Sequence, residues 1–351
     1  MMRLGARYKQ RVGNIEMSKQ IRTAVVGLNM GLRHAYAYHE SKQADLRWVV
    51  DLDEAKAKAV AEELGCGYAT DWTTVLPDVD AISLCTPHHL HAPQALQAIA
   101  AGKHVLVEKP LANTEEECLA VIRAAEEKNV KLMVAYVLRY VPAFVRLKEV
   151  LDSGRYGKPI NASCWVEGLL PPSPGSWFSR KDQLGGGVLF SHGCHYIDLL
   201  LWFFGEPARI VSLGTCLGTE WMEGEGTAHA TILFDSGTLG HLSCSWGFPQ
   251  AASPALFQIH TTEGMIALSG NDLTIEAITN SGREVVYKED PAANASKAQS
   301  AQYEIEHFLS CIAEDRLPHT NGRDALRSHR AIWAAYADAG TVVRLDQETG
   351  G

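Results

Sequence analysis

The stretch Thr23-Ala24-Val25-Val26-Gly27-Leu28-Asn29-Met30-Gly31-Leu32-Arg33-His34 joins a short strand-like run to two glycines, and a helical pattern begins at once. A strand that ends on glycine and opens into a helix lets the backbone approach a pyrophosphate, whose charge is met by free N–H groups and the helix dipole. The pattern departs from G-x-G-x-x-G, because Asn29 stands where a second glycine is common. Asp51 supplies the second half of the signal. It closes the next strand-like run 24 positions after Gly27, where a carboxylate accepts ribose hydroxyls and repels a 2′-phosphate. Together they predict NAD as the cofactor, with NADP less favoured.

Outward from this stretch, short apolar runs alternate with segments of helical period, the appearance of βα units in a parallel sheet. Strands are predicted at Thr23 to Val26, Leu46 to Val50, Ala81 to Cys85, His104 to Val107 and Leu132 to Ala135. Thr114 followed by Glu117 predicts a capping box, and Pro93 suits the first turn of another helix. Val141 to Ser153 reads as a bridging helix. Beyond it the texture changes to alternating strands at Ala228 to Phe234, Leu239 to Trp246, Phe257 to Thr261, Leu273 to Ala277 and Glu284 to Tyr287. The fold class expected is α/β: a Rossmann dinucleotide-binding domain at 20–141 and an α+β domain with a large, mainly antiparallel open sheet at 142–351. The helices around Asp198 and Phe308 are expected to cover one face of that sheet. Residues 1–19 read as an extension that adds nothing to the core, and Pro291 to Ala301 as a surface loop.

Composition narrows the function. A chain of 351 residues suits about two domains. No apolar run approaches the roughly 18 residues of a membrane helix, which argues against a membrane role. A net charge of −9 with no cluster of Lys and Arg argues against nucleic acid. The eight cysteines stand singly, without close CxxC pairs, and no apolar core follows the basic start, so reduced thiols and a cytoplasmic address are expected.

Further candidate residues follow the later strands. Cys85, Thr86, Pro87, His88, His89 and His91 lie at the end of the run Ala81 to Cys85, and Glu108, Lys109 and Pro110 after His104 to Val107, at the strand ends where open α/β sheets place ligands. The clustered histidines lack a carboxylate or cysteine partner at ligand spacing, so no metal is expected. Gly185-Gly186-Gly187 leads into Ser191, His192, Gly193, Cys194, His195 and Asp198. His195 and Asp198 lie one helical turn apart, close enough for the carboxylate to orient the imidazole. Trp165, Trp177 and Tyr196 are candidates to stack on a sugar ring.

These motifs, in this order, give a chain that resembles the Gfo/Idh/MocA family (glucose-fructose oxidoreductase, inositol dehydrogenase, rhizopine catabolism) from about Ile21 to Leu345. The resemblance rests on Cys85 to Pro87, Glu108 to Pro110, Arg139 to Pro142, and the glycine run leading to G-x-H-x-x-D at Gly193 to Asp198. It implies NAD-dependent oxidation of a secondary alcohol of a sugar, glycoside or cyclitol, or reduction of the ketone. It also implies that Lys109 and His195 contact the reacting hydroxyl as the catalytic pair, and that the second domain mediates oligomers. With the position of Pro110, it suggests a cis Lys109–Pro110 peptide. The cofactor is expected to meet Gly27, Asn29, Met30, Gly31 and Asp51, then Cys85, Thr86, Pro87, His88 and His91, and finally Glu108, Lys109 and Arg139. The substrate is expected to meet Lys109, Trp177, Ser191, His192, His195 and Asp198.

Ser191 departs from the family, whose inositol-dehydrogenase-like members carry aspartate there, and leaves His195 to rely on Asp198. Two other readings stay open: a glycoside-cleaving enzyme that uses NAD transiently, and a catalytically silent NAD-binding protein. Adjacent apolar residues in Ala228 to Phe234 suggest that both sheet faces are covered, one by a second subunit in a homodimer or homotetramer.

Overall fold

The run Ala81-Ile82-Ser83-Leu84 is buried at every position, because helices cover both faces of the sheet to which it belongs. The computed structural model describes residues 20–250, 255–290 and 296–337. The expected extension at 1–19 lies outside them, as does the first part, 291–295, of the loop expected at 291–301; residues 296–300 form turns, and a helix already begins at Ala301.

The first unit alternates strands and helices. β1 (Ile21–Val26), α1 (Gly31–Glu40), β2 (Ala44–Val50), α2 (Glu54–Leu64) and β3 (Gly67–Ala69) form its first half. β4 (Ala81–Leu84), α3 (His88–Ala100), β5 (His104–Glu108), α4 (Glu115–Lys128) and β6 (Leu132–Ala135) form the second. The six strands are parallel, in the order β3-β2-β1-β4-β5-β6. Strand order reverses between β1 and β4, which opens a crevice beyond their carboxyl ends. The capping box forms as expected: the Thr114 hydroxyl accepts from the Glu117 N–H at 3.2 Å, and the Glu117 carboxylate accepts from the Thr114 N–H at 3.2 Å. Pro93 lies inside α3 and not in its first turn, since the helix already starts at His88.

α5 (Pro142–Asp152) leads into eight strands: β7 (Pro159–Glu167), β8 (Pro207–Thr215), β9 (Thr227–Phe234), β10 (Leu239–Ser245), β11 (Phe257–Thr261), β12 (Gly264–Leu268), β13 (Ile275–Thr279) and β14 (Gly282–Tyr287). Their order is β14-β13-β12-β11-β7-β10-β9-β8. Every pairing is antiparallel except β7 with β10. Short helices α6 (Lys181–Leu184) and α7 (Val188–Ser191) precede α8 (Cys194–Phe204), and α9 (Ala301–Ala313) and α10 (Gly322–Ala337) follow the sheet. No helix among the described residues is long and apolar enough to cross a membrane.

One expectation about this sheet changes. α8 and α10 contribute to the core with its inner face, but Phe308 on α9 packs with Val25, Leu28 and Ala35 of the first unit. An apolar stripe states that a helix has a face to bury, not which surface receives it. β9 alternates strictly: Ala228, Ala230, Ile232 and Phe234 are buried, whereas His229, Thr231 and Leu233 are exposed. Its adjacent apolar residues therefore leave one face of the sheet open on this chain.

Candidate active site

Gly27 turns the chain out of β1 with φ +85°, and a Cβ there would sit 2.5 Å from the Cys85 carbonyl oxygen. Conformation and space thus both require glycine. The Leu28 N–H donates to Asp51 Oδ2 at 2.8 Å and the Asp53 N–H to Oδ1 at 3.1 Å, which fixes the carboxylate beside the turn. Burial opposes its charge, but these N–H groups and Lys56 hold Asp51 below its ordinary value. Lys56 Nζ donates to Asn29 Oδ1 at 2.6 Å and lies 3.4 Å from Asp51. No sequence pattern singled out Lys56. No side chain caps the first turn of α1, which leaves N–H groups suited to an anion.

Beneath this loop lies a buried charge cluster that the sequence reading missed. His34 Nε2 is 3.5 Å from Glu108 and 3.4 Å from Glu304, and its Nδ1 is 3.6 Å from Cys85 Sγ. Burial works against an imidazolium, yet Cys85 and the two carboxylates hold His34 well above its ordinary value. Burial also works against the Glu108 carboxylate, and His34 with Lys109 still keeps it below the usual range. Glu304, on α9, ties the later part of the chain to this loop.

The Lys109–Pro110 peptide is cis, as expected. Lys109 Nζ donates to the Ser191 carbonyl at 2.8 Å. A main-chain oxygen makes this contact, so the residue type at 191 does not decide it. The preceding glycine run is a packing requirement: a Cβ on Gly187 would overlap Glu225, whose carboxylate accepts from the Tyr336 hydroxyl at 2.7 Å.

His195 stands at the start of α8, and its Nδ1 is buried without a hydrogen-bond partner. Burial, then the charges of Lys109 and His192, drive its pKa well below the ordinary value. His192 accepts from the Trp246 indole N–H at 3.3 Å and is held down to about 4 by burial and Lys109. Asp198 does not orient His195. It accepts two bonds of 2.7 Å from Arg139, which also lies 3.0 Å from Asp324.

The Gly27 turn, Lys109 and His195 open onto one cavity of about 1150 Å³. That exceeds the roughly 300–1,000 Å³ of an ordinary ligand pocket and suits a dinucleotide with a second small molecule. Gly27, Asn29, Met30 and Asp51 line one end; Cys85, Thr86, Pro87, His88 and Glu108 line the middle; Trp177, Ser191, His192 and Tyr196 line the other end. The glycine turn, the anchored Asp51 and this volume fit NAD. Five expected contacts fall outside the lining. Gly31 packs below, where a Cβ would meet Val25 at 2.8 Å. His91 is fully buried between the carbonyls of Pro110 and Thr86. Arg139 and Asp198 saturate each other. Trp165 likewise stays off the cavity wall.

Residues 21–136 match the NAD-binding Rossmann domain of an oxidoreductase family, and residues 144–267 match the GFO/IDH/MocA C-terminal domain. The chain is similar to a 1,5-anhydro-D-fructose reductase of Ensifer adhaerens, with 30% identity over 303 residues that cover 84% of this chain and 89% of the relative. It is similar to a scyllo-inositol 2-dehydrogenase (NAD(+)) of Bacillus subtilis, with 29% identity across 88% of this chain and 91% of the relative. A solved levoglucosan dehydrogenase in complex with NADH and levoglucosan shares the fold, with a TM-score of 0.80 at 23% identity, covering 92% of this chain and 98% of the other.

Proposed function

The chain belongs to the Gfo/Idh/MocA oxidoreductase family, and from that premise we propose an NAD-dependent dehydrogenase or reductase. It transfers a hydride between nicotinamide and a secondary alcohol or matching ketone of a sugar, glycoside or cyclitol. The observation that carries this reading is the single cavity joining Gly27 and Asp51 to Lys109 and His195. Residues 20–141 serve the cofactor, and residues 142–351 serve the substrate and assembly.

In this reading the backbone at Gly27 to Met30 receives the pyrophosphate, Asp51 the adenosine ribose, and Thr86, Pro87 and Glu108 the nicotinamide half. When bound, NAD supplies the hydride acceptor or donor. Lys109, steadied by the Ser191 carbonyl, stabilises negative charge that develops on the substrate oxygen. His195, kept neutral by its buried setting, takes the hydroxyl proton in oxidation and returns it in reduction. A positioned acid–base group of this kind contributes about a hundredfold to ten-thousandfold.

The test is an NAD reduction screen against cyclitols, aldoses and glycosides. Net NADH should accumulate with at least one of them. Tight NAD binding without any NADH across the panel would favour a silent binding protein, and glycoside cleavage without net NADH a transient use of the cofactor.

Asp51 is expected to make NAD bind more tightly than NADP in a fluorescence titration, to an extent moderated by Lys56 3.4 Å away. Asp51→Ala should narrow that gap with the fold intact. Tighter binding of NADP by the unmodified chain would overturn the role of Asp51.

A second copy of the chain is the proposed cover for the open sheet face, where Leu213 is 72% exposed, Leu239 44% and Leu233 41%. Register sets Leu239 opposite Leu233, so these belong to one patch. Light scattering at micromolar concentration is expected to report a dimer or tetramer, and a monomer would count against this assembly.

A further inference from the structure

One end of the cavity carries more ring surface than a bare polyol uses. The rings of Trp177 and Phe178 lie 4.0 Å apart between centroids, and Phe178 meets Trp246 edge-on at 5.9 Å. Leu169, 56% exposed, and Leu170 line the same end. The wall is held from both sides. The Leu170 N–H donates to the Trp246 carbonyl at 2.9 Å and the Gly168 N–H to the Ser245 carbonyl at 3.0 Å. Trp177 rests edge-on against His88, 4.7 Å away, and His88 is itself bonded to the Leu184 carbonyl at 2.9 Å.

Several polar atoms beside this wall already have protein partners. Glu167 accepts from the Ser243 hydroxyl at 2.5 Å, His192 Nδ1 from the Trp246 indole, and the Ser245 and Thr227 hydroxyls bond each other at 2.7 Å. A hydroxyl directed at the faces of Trp177, Phe178 and Trp246 would lose its water contacts to ring carbon and find no partner there, a net cost. A carbon-rich ring would lose nothing polar and gain contact with the aromatic faces. Lys109 and His195 ask for a hydroxyl, whereas Trp177, Phe178, Trp246 and Leu169 ask for carbon.

We propose that this wall is a subsite for an apolar, ring-shaped substituent, so that the enzyme acts on glycosides carrying a hydrophobic aglycone in preference to free sugars and cyclitols. The inference rests on the dehydrogenase reading above, because it takes the reacting hydroxyl to lie at Lys109 and His195.

The experiment compares, with NAD-supplemented full-length enzyme, the phenyl glycosides, methyl glycosides and free forms of glucose, galactose and xylose, in both anomers, together with myo- and scyllo-inositol. NADH formation gives kcat/KM. For any sugar turned over, the phenyl glycoside is expected to exceed the methyl glycoside and the free sugar by at least about tenfold, in line with burial of an aromatic ring. Trp177→Leu and Phe178→Leu, which keep an apolar side chain, are expected to erase most of that advantage while NAD affinity, read by fluorescence titration, stays unchanged. Either variant suffices if the other does not fold. Free sugars or inositols used as well as the phenyl glycosides would overturn the subsite and leave the dehydrogenase reading standing. No NADH from any compound, with NAD binding intact, would remove the dehydrogenase reading and the subsite with it.

Discussion

Lys109→Ala and His195→Ala are each expected to lower turnover of a competent substrate by about a hundredfold or more, with NAD affinity nearly unchanged. Lys109 lines the cavity, and its 2.8 Å bond to the Ser191 carbonyl limits where its charge can go. His195 carries a buried Nδ1 with no partner; such an atom costs about 1–3 kcal/mol, and folds tend to keep them at functional sites. The pH profile adds a second check. A base accepts a proton only when neutral, and burial beside Lys109 depresses the His195 pKa. For alcohol oxidation, the acidic limb of kcat/KM should therefore lie below the ordinary imidazole value of about 6.5. Turnover in His195→Ala equal to that of the unmodified enzyme would end the assignment. Collapse of NAD affinity in both variants would move the two residues to cofactor binding.

Asp198→Ala should destabilise the protein by about 3–5 kcal/mol, the usual result of removing one member of a buried pair. Asp198 is 1% exposed and makes two 2.7 Å bonds to Arg139. Burial pushes Asp198 up to about 6 against the pull of Arg139, so at neutral pH the carboxylate is ionised. Without it the guanidinium keeps Asp324, at 3.0 Å, and the face of the Trp202 ring, 5.6 Å to its centroid, as partners too weak to replace two aligned carboxylate bonds. Most of the loss comes from that stranded charge and little from the net strength of the pair. Chemical denaturation of Asp198→Ala and Asp198→Asn measures it. A variant as stable as the parent but slowed a hundredfold would instead return Asp198 to the orientation of His195.

Local patterns explain what was legible beforehand. β1, β2, β4, β5 and β6 appeared as apolar runs with breakers at their ends, and Thr114 with Glu117 carried its capping geometry within four residues. The loops after β1, β4 and β5 could be expected to share one cavity, as they do, because their motifs are contiguous and a parallel sheet gathers its strand ends on one edge. Other strands gave too little signal. β3 has three residues, and β7 points the small Ala162 and Cys164 into the core, so its alternation is faint.

The sequence by itself thus determined the two-unit α/β architecture and marked Gly27 and Asp51 through local patterns, while the resemblance carried by its ordered motifs made Lys109 and His195 candidates. Tertiary structure alone decided the partners. Asp198 went to Arg139, 59 positions away, and not to His195 three positions away; Lys109 reached the Ser191 main chain across 82 positions. His34 met Glu304, and α9 crossed back onto the first unit. Spacing along a helix shows which side chains could meet. Which of them do is settled by the competition to satisfy buried charge, and a guanidinium with two well-aligned donors outcompetes a neutral imidazole for a buried carboxylate.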